Sequence, residues 1–352
     1  MKKVDHKKLI DYISNNLIFF GMSKSNSDIM AKILVETDLR GTFTHGSKNL
    51  YGYIQKRIAG GVSFEDNSII ETKLPSLSII NANNTIGYIP SYNAMNMACD
   101  MAEKTGMAGV FVKNSCHFGA AGYYANIAAK RNMIGIAISN VDKKMTIPGA
   151  KGIVMGHNPF ALASPAKAIE SVVLDISSSN VASLKVLREK EKNKSIPEGW
   201  ISDKDGLPTT DPSKYPEEGA LLPMGGHKGY GIAFFIEVLT SVLLNTPLST
   251  SNNINSWCFD LDKPNNVSHA FFAISIDAFD SLDNFKDRLE LFIDSLHNSP
   301  KSLNNNRILV PGEDSNEKYL EGIKSGIEMP DDVISELEKL SKLSKIELDI
   351  YI

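Results

Sequence analysis

The feature that most constrains the fold is an alternation of short β-rich runs with helical runs, which begins near residue 76. LSIINA (77–82) precedes a helical run at 91–106, and AGVFVKN (108–114) precedes another at 119–132. The same texture continues through IGIAISN, FALASPA, SVVLDIS and HAFFAISID. Such alternation is typical of an α/β or mixed α+β core. We therefore predict a large mixed sheet with helices packed against it.

The two ends of the chain have a different, helical texture. Residues 5–39 read as two amphipathic helices separated at GMSKSNSD, with Ser25 or Ser27 capping the second. The tail PDDVISELEKLSKL reads as a helix with Pro330 in its first turn. We predict a helical domain of residues 1–75 with about 300–352, and a mixed α/β region of residues 76–299. Residues 191–219, rich in Lys, Pro, Asp and Gly, look like a long surface excursion.

Composition excludes several classes of protein. The chain has 352 residues and a net charge of −4, so no basic surplus is available to neutralise nucleic-acid phosphates. The most apolar segment, residues 231–244, contains Glu237 and is too short to span a bilayer. Three widely spaced cysteines and no CxxC pattern favour a reducing compartment. We expect a cytoplasmic protein without bound metal, since HExxH and similar ligand spacings are missing.

His117 lies at a sharp break in the pattern, between the strand-like GVFV and a helical run of small residues. Open α/β sheets bind ligands at the carboxyl ends of strands, where helix N-termini point their amides into the cleft. The ordinary histidine pKa, near 6.5, suits proton exchange at neutral pH. A histidine hydrogen-bonded in the core is an equally good interpretation of this position. A nucleophile pair with Cys116 is disfavoured, because adjacent strand residues face opposite sides.

A second histidine, His45, falls in a predicted third helix that runs from Thr44 to Gly61. His45, Asn49 and Tyr53 are spaced four residues apart and would share one face of that helix, with Lys48 beside them. A polar stripe of this kind suits a pocket wall, and equally any half-exposed helix. A helix N-terminus lowers the pKa of a histidine, so His45 would be neutral near pH 7.

Two glycine- or serine-rich segments have the composition of anion and sugar sites. In LLPMGGHKGYGIAFFIEVL (221–239), glycines surround Lys228 just before an apolar helix, which favours anion binding over a simple turn. This segment is neither a Walker loop nor a complete GxGxxG. In VVLDISSSNVA (172–182), Asp175 ends a strand and could hold ribose hydroxyls, although Asp and Ser are also ordinary helix caps.

Taken in order, seven segments resemble the malate/L-lactate dehydrogenase-like family of NAD(P)-dependent oxidoreductases. That group also contains ureidoglycolate dehydrogenase, sulfolactate dehydrogenase and diketogulonate reductase. The segments, which span residues 38–313, are DLRGTFTHG, NSCHFGAAGYYANIAA, NPFALASP, LDISSSNVA, IPEGWISDKDGLPTTDP, LLPMGGHKGYGIAFFIEVL and RILVPGE. DGLPTTDP through GGHKGYG is the most specific block.

The resemblance implies a non-Rossmann nicotinamide-dependent oxidoreductase fold, a homodimer, and NAD or NADP as cofactor. It implies hydride transfer between the nicotinamide ring and a 2-hydroxy acid, a 2-oxo acid or a cyclic imino acid. Cofactor and substrate binding would then fall mainly within residues 76–299. Our leading interpretation is an NAD(P)-dependent 2-hydroxyacid dehydrogenase acting on a malate- or lactate-like acid.

The resemblance also implies roles for individual residues. His117 matches the family's acid/base histidine, His45 matches the histidine of its SHG motif with Thr44 replacing the serine, and Tyr53 matches a position of the substrate pocket. The positions that match the cofactor site are Asp175, Ile176 and Ser177 at the ribose, Lys228, Asn158 and Pro159 near the nicotinamide, and Arg307, Pro311 and Gly312 at the other end of the cofactor.

Two departures from the family put the substrate in question. Asn49 stands where the family often has an arginine that clamps the substrate carboxylate. Asp142 would repel an anionic substrate if it faced the pocket. Lys48, Lys143 or Lys144 could supply the missing charge, although lysine is no equivalent of a forked arginine. The alternatives are therefore a cyclic imino acid reductase, a non-catalytic ligand-binding relative and, with no supporting ligand pattern, a metal hydrolase.

Overall fold

The structure is a computed structural model that describes residues 2–352. Within this range the chain forms ten α-helices: α1 (His6–Phe19), α2 (Lys24–Leu39), α3 (Leu50–Ile58), α4 (Tyr88–Thr105), α5 (Ala121–Lys130), α6 (Ser183–Glu191), α7 (His227–Glu237), α8 (Leu282–His297), α9 (Glu313–Ser325) and α10 (Asp331–Ser344). Short 3₁₀ turns are Ser47–Asn49, Pro212–Lys214 and Ile276–Ala278, and a π-helical turn, Val238–Val242, continues α7.

The same range contains fourteen strands. They are β1 (Lys2–Val4), β2 (Ile69–Leu74), β3 (Leu77–Asn81), β4 (Met107–Ser115), β5 (Met133–Ser139), β6 (Lys143–Met145), β7 (Met155–Gly156), β8 (Phe160–Pro165), β9 (Ser171–Ile176), β10 (Ile201–Ser202), β11 (Pro208–Thr209), β12 (Ala220–Leu221), β13 (Val267–Ser275) and β14 (Ile327–Met329). This mixed α/β composition confirms the predicted fold class.

A seven-stranded sheet forms the centre of the molecule, in the order β2-β3-β4-β13-β5-β8-β9. Strands β3 and β4 are parallel and joined through α4, whereas every other neighbouring pair in the sheet is antiparallel. Strand β13, which comes late in the chain, inserts between β4 and β5. Sequence periodicity identified its residues as a strand but contained no information about this position.

Helices α4 and α5 cover one face of the sheet, and the terminal helices extend the same core. Val110, Ala137 and Phe271 on the sheet belong to one buried cluster with Leu17 of α1 and Leu337 of α10. The chain ends meet in the antiparallel pair β1–β14. The division into a helical domain and a mixed region stays a prediction.

The opposite face of the sheet is covered only in part. Phe111, Ile138 and Ala270 pack there against Ile236 of α7, in a small separate cluster. Glu237, at the end of α7, is buried and paired: its carboxylate accepts from the Asn158 amide at 3.0 Å and from the Ser249 backbone N–H at 2.7 Å. These hydrogen bonds compensate for burying a carboxylate inside an apolar helix, so Glu237 has a structural role.

Three local predictions differ from the structure. Ser23, not Ser25 or Ser27, caps α2, since its hydroxyl accepts from the Asn26 N–H. The third helix begins at Leu50 rather than Thr44, because a turn and a 3₁₀ segment precede it. Residues 191–219 are not merely a surface excursion: β10 and β11 join a five-stranded sheet, and Tyr215 is buried in its cluster.

Candidate active site

A cavity of about 1110 Å³ lies where the carboxyl end of β4, the start of α5 and the end of β9 approach one another. The strand β6, the loop of residues 257–259 and residues 311–312 complete its wall. We call this space the central cavity. Most predicted site residues lie on it, although they come from segments that are far apart in sequence.

His117 follows β4 directly and lies in the wall of the central cavity. The chain turns sharply after it at Gly119, whose φ of +80° belongs to the left-handed region that favours glycine. A Cβ atom at Gly119 would also meet the Tyr88 hydroxyl at 2.7 Å and the Tyr88 ring at 2.9 Å. The small residues after His117 therefore let the chain turn into α5 and leave the imidazole ring in the cavity.

Buried tyrosines hold the His117 ring from behind. The Tyr53 hydroxyl lies 2.6 Å from His117 Nδ1 and 3.0 Å from the Tyr88 hydroxyl. Trp257 stacks on the imidazole with ring centroids 4.9 Å apart. Because Nδ1 is engaged by Tyr53, Nε2 is the nitrogen left for a ligand. Tyr53 itself is fully buried, so it lies behind His117 rather than lining the pocket as expected.

The site keeps its histidines neutral. Burial lowers the pKa of His117 well below its ordinary value, and the nearby His45 and Lys144 lower it further. Burial, together with the charge of Lys144, lowers the pKa of His45 to about 4. The predicted cause, a helix N-terminus, does not apply, because α3 begins five residues later. His45 lies beside His117, with 5.8 Å between ring centroids, and its Nδ1 is 2.9 Å from the Thr44 hydroxyl.

The residues proposed to hold the substrate divide into two groups. Thr44, Asn49 and Lys143 line the central cavity, and the Asn49 amide donates to the Thr44 carbonyl at 2.9 Å. Lys143 donates to the Asn252 side chain at 2.6 Å. Lys48 does not face the cavity, because its ammonium pairs with Asp332 of α10 at 2.7 Å. The structure therefore gives no support to a substrate contact by Lys48.

The predicted ribose segment lies in the cavity wall at the end of β9. Asp175, Ile176 and Ser177 all line it, and one Asp175 oxygen accepts from the Gly122 N–H at 2.8 Å. Burial in the cavity wall raises the pKa of Asp175 to about 6, and the hydrogen bond from the Gly122 N–H opposes this shift. Because the side chain is open to the cavity, water also favours the charged form, and Asp175 is ionised at neutral pH.

The remaining predicted cofactor residues do not all reach the cavity. Pro159, Pro311 and Gly312 line it. Asn158 is fully buried beside the cavity. Its amide nitrogen donates to the Ala233 carbonyl and the Glu237 carboxylate, and its amide oxygen accepts from the Val141 N–H. It therefore supports the wall rather than facing a ligand.

The two basic residues predicted for the cofactor lie elsewhere. Arg307 makes a forked pair with Glu317 on the surface, at 2.8 and 2.9 Å. Lys228 is exposed and lies on a groove against the other face of the sheet. Their tertiary positions therefore do not place them in the central cavity of their own chain.

Two residues of the cavity, Trp257 and His157, were not predicted as site residues from sequence, and a third, Lys144, was only one of three alternatives. Trp257 comes from a polar loop without a recognisable motif, and its only signal is that tryptophan occurs twice in the chain. His157 lines the cavity, and its buried Nδ1 has no hydrogen-bond partner. Lys144 was one of three candidates for a missing charge, and it is the one whose charge acts on His45, His117 and His157.

The cavity has the size and donor set that a nicotinamide dinucleotide needs. Its volume exceeds that of typical small-ligand sites, so it can take a dinucleotide together with a small acid. At the start of α5 the cavity wall also presents backbone N–H groups, one of which, that of Gly122, is bound by Asp175. Asp175 offers a carboxylate for a ribose hydroxyl. Across residues 2–352 no cluster of three or more His, Cys, Asp or Glu side chains could hold a metal ion.

A cavity of dinucleotide size with a histidine at the end of a strand is the kind of site that the class of nicotinamide-dependent dehydrogenases requires. The family model of the malate/L-lactate dehydrogenases matches residues 4–338. The chain therefore belongs to the malate/L-lactate dehydrogenase family. The predicted family, the fold and the enzyme class, an NAD(P)-dependent 2-hydroxyacid dehydrogenase, are confirmed, and the chain is not merely a ligand-binding relative.

Individual relatives resemble the chain over nearly its whole length. It is 32% identical to the malate dehydrogenase of Pyrococcus horikoshii, covering 98% of this chain and 96% of that one. It is 31% identical to the ureidoglycolate dehydrogenase (NAD(+)) of Escherichia coli strain K12, covering 94% and 93%. The crystal structure of malate dehydrogenase from Entamoeba histolytica superposes with a TM-score of 0.93 at 28% identity, covering 99% of each chain.

Proposed function

We propose that the chain interconverts a 2-oxo acid and its 2-hydroxy acid in the central cavity, with His117 as the acid/base group. The observation that supports this most directly is the His117 ring, which is bound through Nδ1 by Tyr53 and has Nε2 free at the cavity. The bound nicotinamide would supply or accept the hydride at the carbon that changes oxidation state. Everything else required by the reaction is proton transfer, orientation and exclusion of water.

In the oxidising direction, neutral His117 accepts the hydroxyl proton of the substrate at Nε2. Its Nδ1–H then donates to Tyr53, whose hydroxyl donates in turn to Tyr88. In the reducing direction, Nε2–H of the protonated ring donates to the carbonyl oxygen. In both states Nδ1 carries a proton and donates to Tyr53, so the hydrogen bond that holds the ring is kept while Nε2 gains or loses its proton. Trp257 and Tyr53 fix the ring plane throughout.

We propose NAD rather than NADP as the preferred cofactor. Asp175 faces the cavity with one oxygen held by Gly122, which leaves the other oxygen to accept from a ribose hydroxyl. A carboxylate at this position suits a free 2′-hydroxyl and repels a 2′-phosphate. Arg40, the arginine that lines the cavity, is already paired with Glu36 at 3.1 Å.

A homodimer is our proposal for the assembly. Met107, Ile136, Phe272 and Phe235 border a groove on the second face of the central sheet, which we call the apolar groove. Met107, at the start of the inner strand β4, and Phe235, on α7, are 52% and 65% exposed. A second copy covering this face would bury apolar area of the kind that obligate dimers bury, and Lys228 would then lie at the interface.

Oligomeric state tests the dimer. Phe235→Asp should shift sedimentation from dimer to monomer, because a carboxylate would be buried unpaired. Phe279→Asp is the matched control, since Phe279 is 73% exposed and lies outside the apolar groove. A wild-type monomer at micromolar concentration would refute the proposal.

We further propose a cytoplasmic location. Cys99, Cys116 and Cys258 are all free thiols, which suits a reducing compartment. No helix among residues 2–352 is long and apolar enough to cross a membrane. Fractionation of cells that produce the tagged chain would test this, with recovery in the secreted fraction as the contrary result.

The function is tested by following NADH and NADPH absorbance with a panel of 2-oxo acids and cyclic imino acids. We expect turnover of 2-oxo acids, preferentially with NADH, and the reverse reaction with the corresponding 2-hydroxy acids. Exclusive turnover of cyclic imino acids would assign imine reduction instead. Cofactor binding without turnover of any 2-oxo acid would refute the proposed substrate class.

A further inference from the structure

An ion pair lies in the wall of the central cavity, at the start of β6. Lys144 Nζ lies 3.4 Å from Asp142 Oδ2, and the side chains are 20% and 16% exposed. Both residues line the central cavity together with His45 and His117. The mechanism described above uses neither of them. Burying two charged side chains is unfavourable, and proton transfer at His117 does not explain why these two are buried.

The charge of Lys144 is retained despite this burial. Burial disfavours the ammonium, but Asp142 outweighs it and raises the pKa of Lys144. The same charge lowers the pKa of three histidines of the site, His45, His117 and His157. Lys144 is thus a cation in the wall of the same cavity as His117, close enough for its charge to act on that ring.

His157 adds an independent sign of a missing ligand. Its ring lies in the cavity wall, and its Nδ1 is shielded from solvent without any hydrogen-bond partner. A buried polar atom without a hydrogen-bond partner is unfavourable, so such atoms usually have one. A carboxylate bound to Lys144 would give His157 Nδ1 a partner if the ring turned this nitrogen towards the cavity.

The neighbouring candidates for carboxylate binding are occupied. The ammonium of Lys48 is paired with Asp332, and that of Lys143 donates to Asn252. Asn49 carries no charge, and its amide donates to the Thr44 carbonyl. Lys144 is the cation that remains close to His117, and its Asp142 contact is long enough to be exchanged or shared.

We propose that Lys144, with His157, binds the carboxylate of the substrate and that Asp142 excludes a second acidic group, so the enzyme prefers monocarboxylic 2-oxo acids. This rests on the proposed function. The Asp142–Lys144 pair has no net charge before substrate binds. The carboxylate of a monoanion is attracted by Lys144, whereas the second carboxylate of a dianion is repelled by Asp142 at close range. The selectivity would therefore differ from that of relatives named for malate, a dicarboxylate.

Steady-state kinetics with matched substrates tests the assignment. Wild type should turn over pyruvate and 2-oxobutyrate with a kcat/KM at least about tenfold above that for oxaloacetate. Lys144→Met should raise KM for pyruvate by about thirtyfold or more and leave the Kd for NADH within twofold. Lys144→Arg is the conservative control and should recover most of the loss, because it keeps the charge.

Asp142→Asn separates selectivity from affinity. It keeps the shape of the side chain and removes its charge, so the oxaloacetate-to-pyruvate ratio of kcat/KM should rise at least about fivefold. A wild-type preference for oxaloacetate, an unchanged ratio in Asp142→Asn, or a pyruvate KM within twofold of wild type in Lys144→Met would overturn the proposal.

A binding measurement distinguishes failure of this inference from failure of the proposed function. Trp257 stacks on His117, so its fluorescence reports ligands at the site; Trp200→Phe removes the other tryptophan signal. Oxamate, an unreactive monocarboxylate, should quench this fluorescence with NADH bound, and Lys144→Met should abolish the quenching. If oxamate binding depends on Lys144 but the protein reduces no 2-oxo acid, only the proposed reaction is refuted. Oxamate binding that survives Lys144→Met would refute the carboxylate site.

Discussion

Two histidines, His117 and His269, lie at the same end of the central sheet and have different environments. His269 is near the start of β13, opposite Val112 and Ser139 of the flanking strands. It is fully buried, and its ring stacks on Phe118 at 4.3 Å. His117 follows the neighbouring strand and reaches the cavity.

Hydrogen bonding separates the two rings more sharply than burial. Since the Ser139 hydroxyl donates to the Asn140 carbonyl, it accepts from His269 Nδ1 at 2.8 Å. The Ser115 hydroxyl meets His269 Nε2 at 3.0 Å, so both nitrogens are satisfied inside the protein. His117 has one nitrogen held and one available. A histidine can act in catalysis where the fold leaves one of its two ring nitrogens without a hydrogen-bond partner.

The largest expected effect is on turnover at His117. His117→Ala should lower kcat at least about a hundredfold, the usual scale for losing an acid/base group. The Kd for NADH should stay within about twofold, because the ring does not hold the cofactor in our assignment. Stopped-flow and titration measurements check both quantities. Turnover near the wild-type rate would refute the acid/base role.

The opposite pattern is expected at His269. His269→Ala leaves the Ser115 and Ser139 hydroxyls without their ring partner and opens a cavity beside Phe118, so the free energy of unfolding should fall by about 3 kcal/mol. Urea unfolding measures the loss. The kcat per folded molecule should change less than about threefold. A hundredfold loss of kcat without a loss of stability would show that His269 acts in the reaction as His117 does.

The pH dependence of hydroxy-acid oxidation should reflect a base that stays neutral. Because burial holds the pKa of His117 well below 6.5, its neutral form dominates throughout pH 6.5–8.5. We expect kcat/KM for oxidation to be flat over that interval. The kcat/KM for reduction, which needs the protonated ring, should fall about tenfold per pH unit as pH rises. A bell-shaped oxidation profile centred near pH 7 would contradict this.

The tyrosine behind His117 should matter less than His117 itself. Tyr53→Phe removes the hydroxyl that orients the ring, and we expect kcat to fall about tenfold with little change in KM. Tyr124→Phe is the matched control, because it also loses a buried hydroxyl, bonded to the Phe118 carbonyl at 2.6 Å. If both variants lost the same activity, the effect would be structural rather than one of positioning.

The smallest expected effect is on cofactor preference. Asp175→Asn keeps an oxygen that can accept from the Gly122 N–H but removes the charge. The ratio of Kd values for NADPH and NADH should move about fivefold towards NADPH. Equal affinities for both cofactors in the wild type would remove the proposed role of this carboxylate.

Sequence reasoning was effective where the signal is local. Alternating runs predicted the mixed α/β class, and the break after GVFV placed His117 at a strand end. It was less effective where a side chain acts through space. Tyr53 was expected in the pocket wall and lies behind His117, and Lys228 was expected at the cofactor and lies on the apolar groove. Residue type and spacing do not tell which way either side chain points.

By itself the sequence determined which segments form strands and helices, where small residues break them, and which family the motifs resemble. These depend on periodicity and turn chemistry, which are properties of neighbouring residues. Only the tertiary structure decided that β13 inserts between β4 and β5, that Trp257 covers His117, and that Lys144 rather than Lys48 is the cation near it. Those contacts join residues distant in sequence, and packing and hydrogen-bond satisfaction select them.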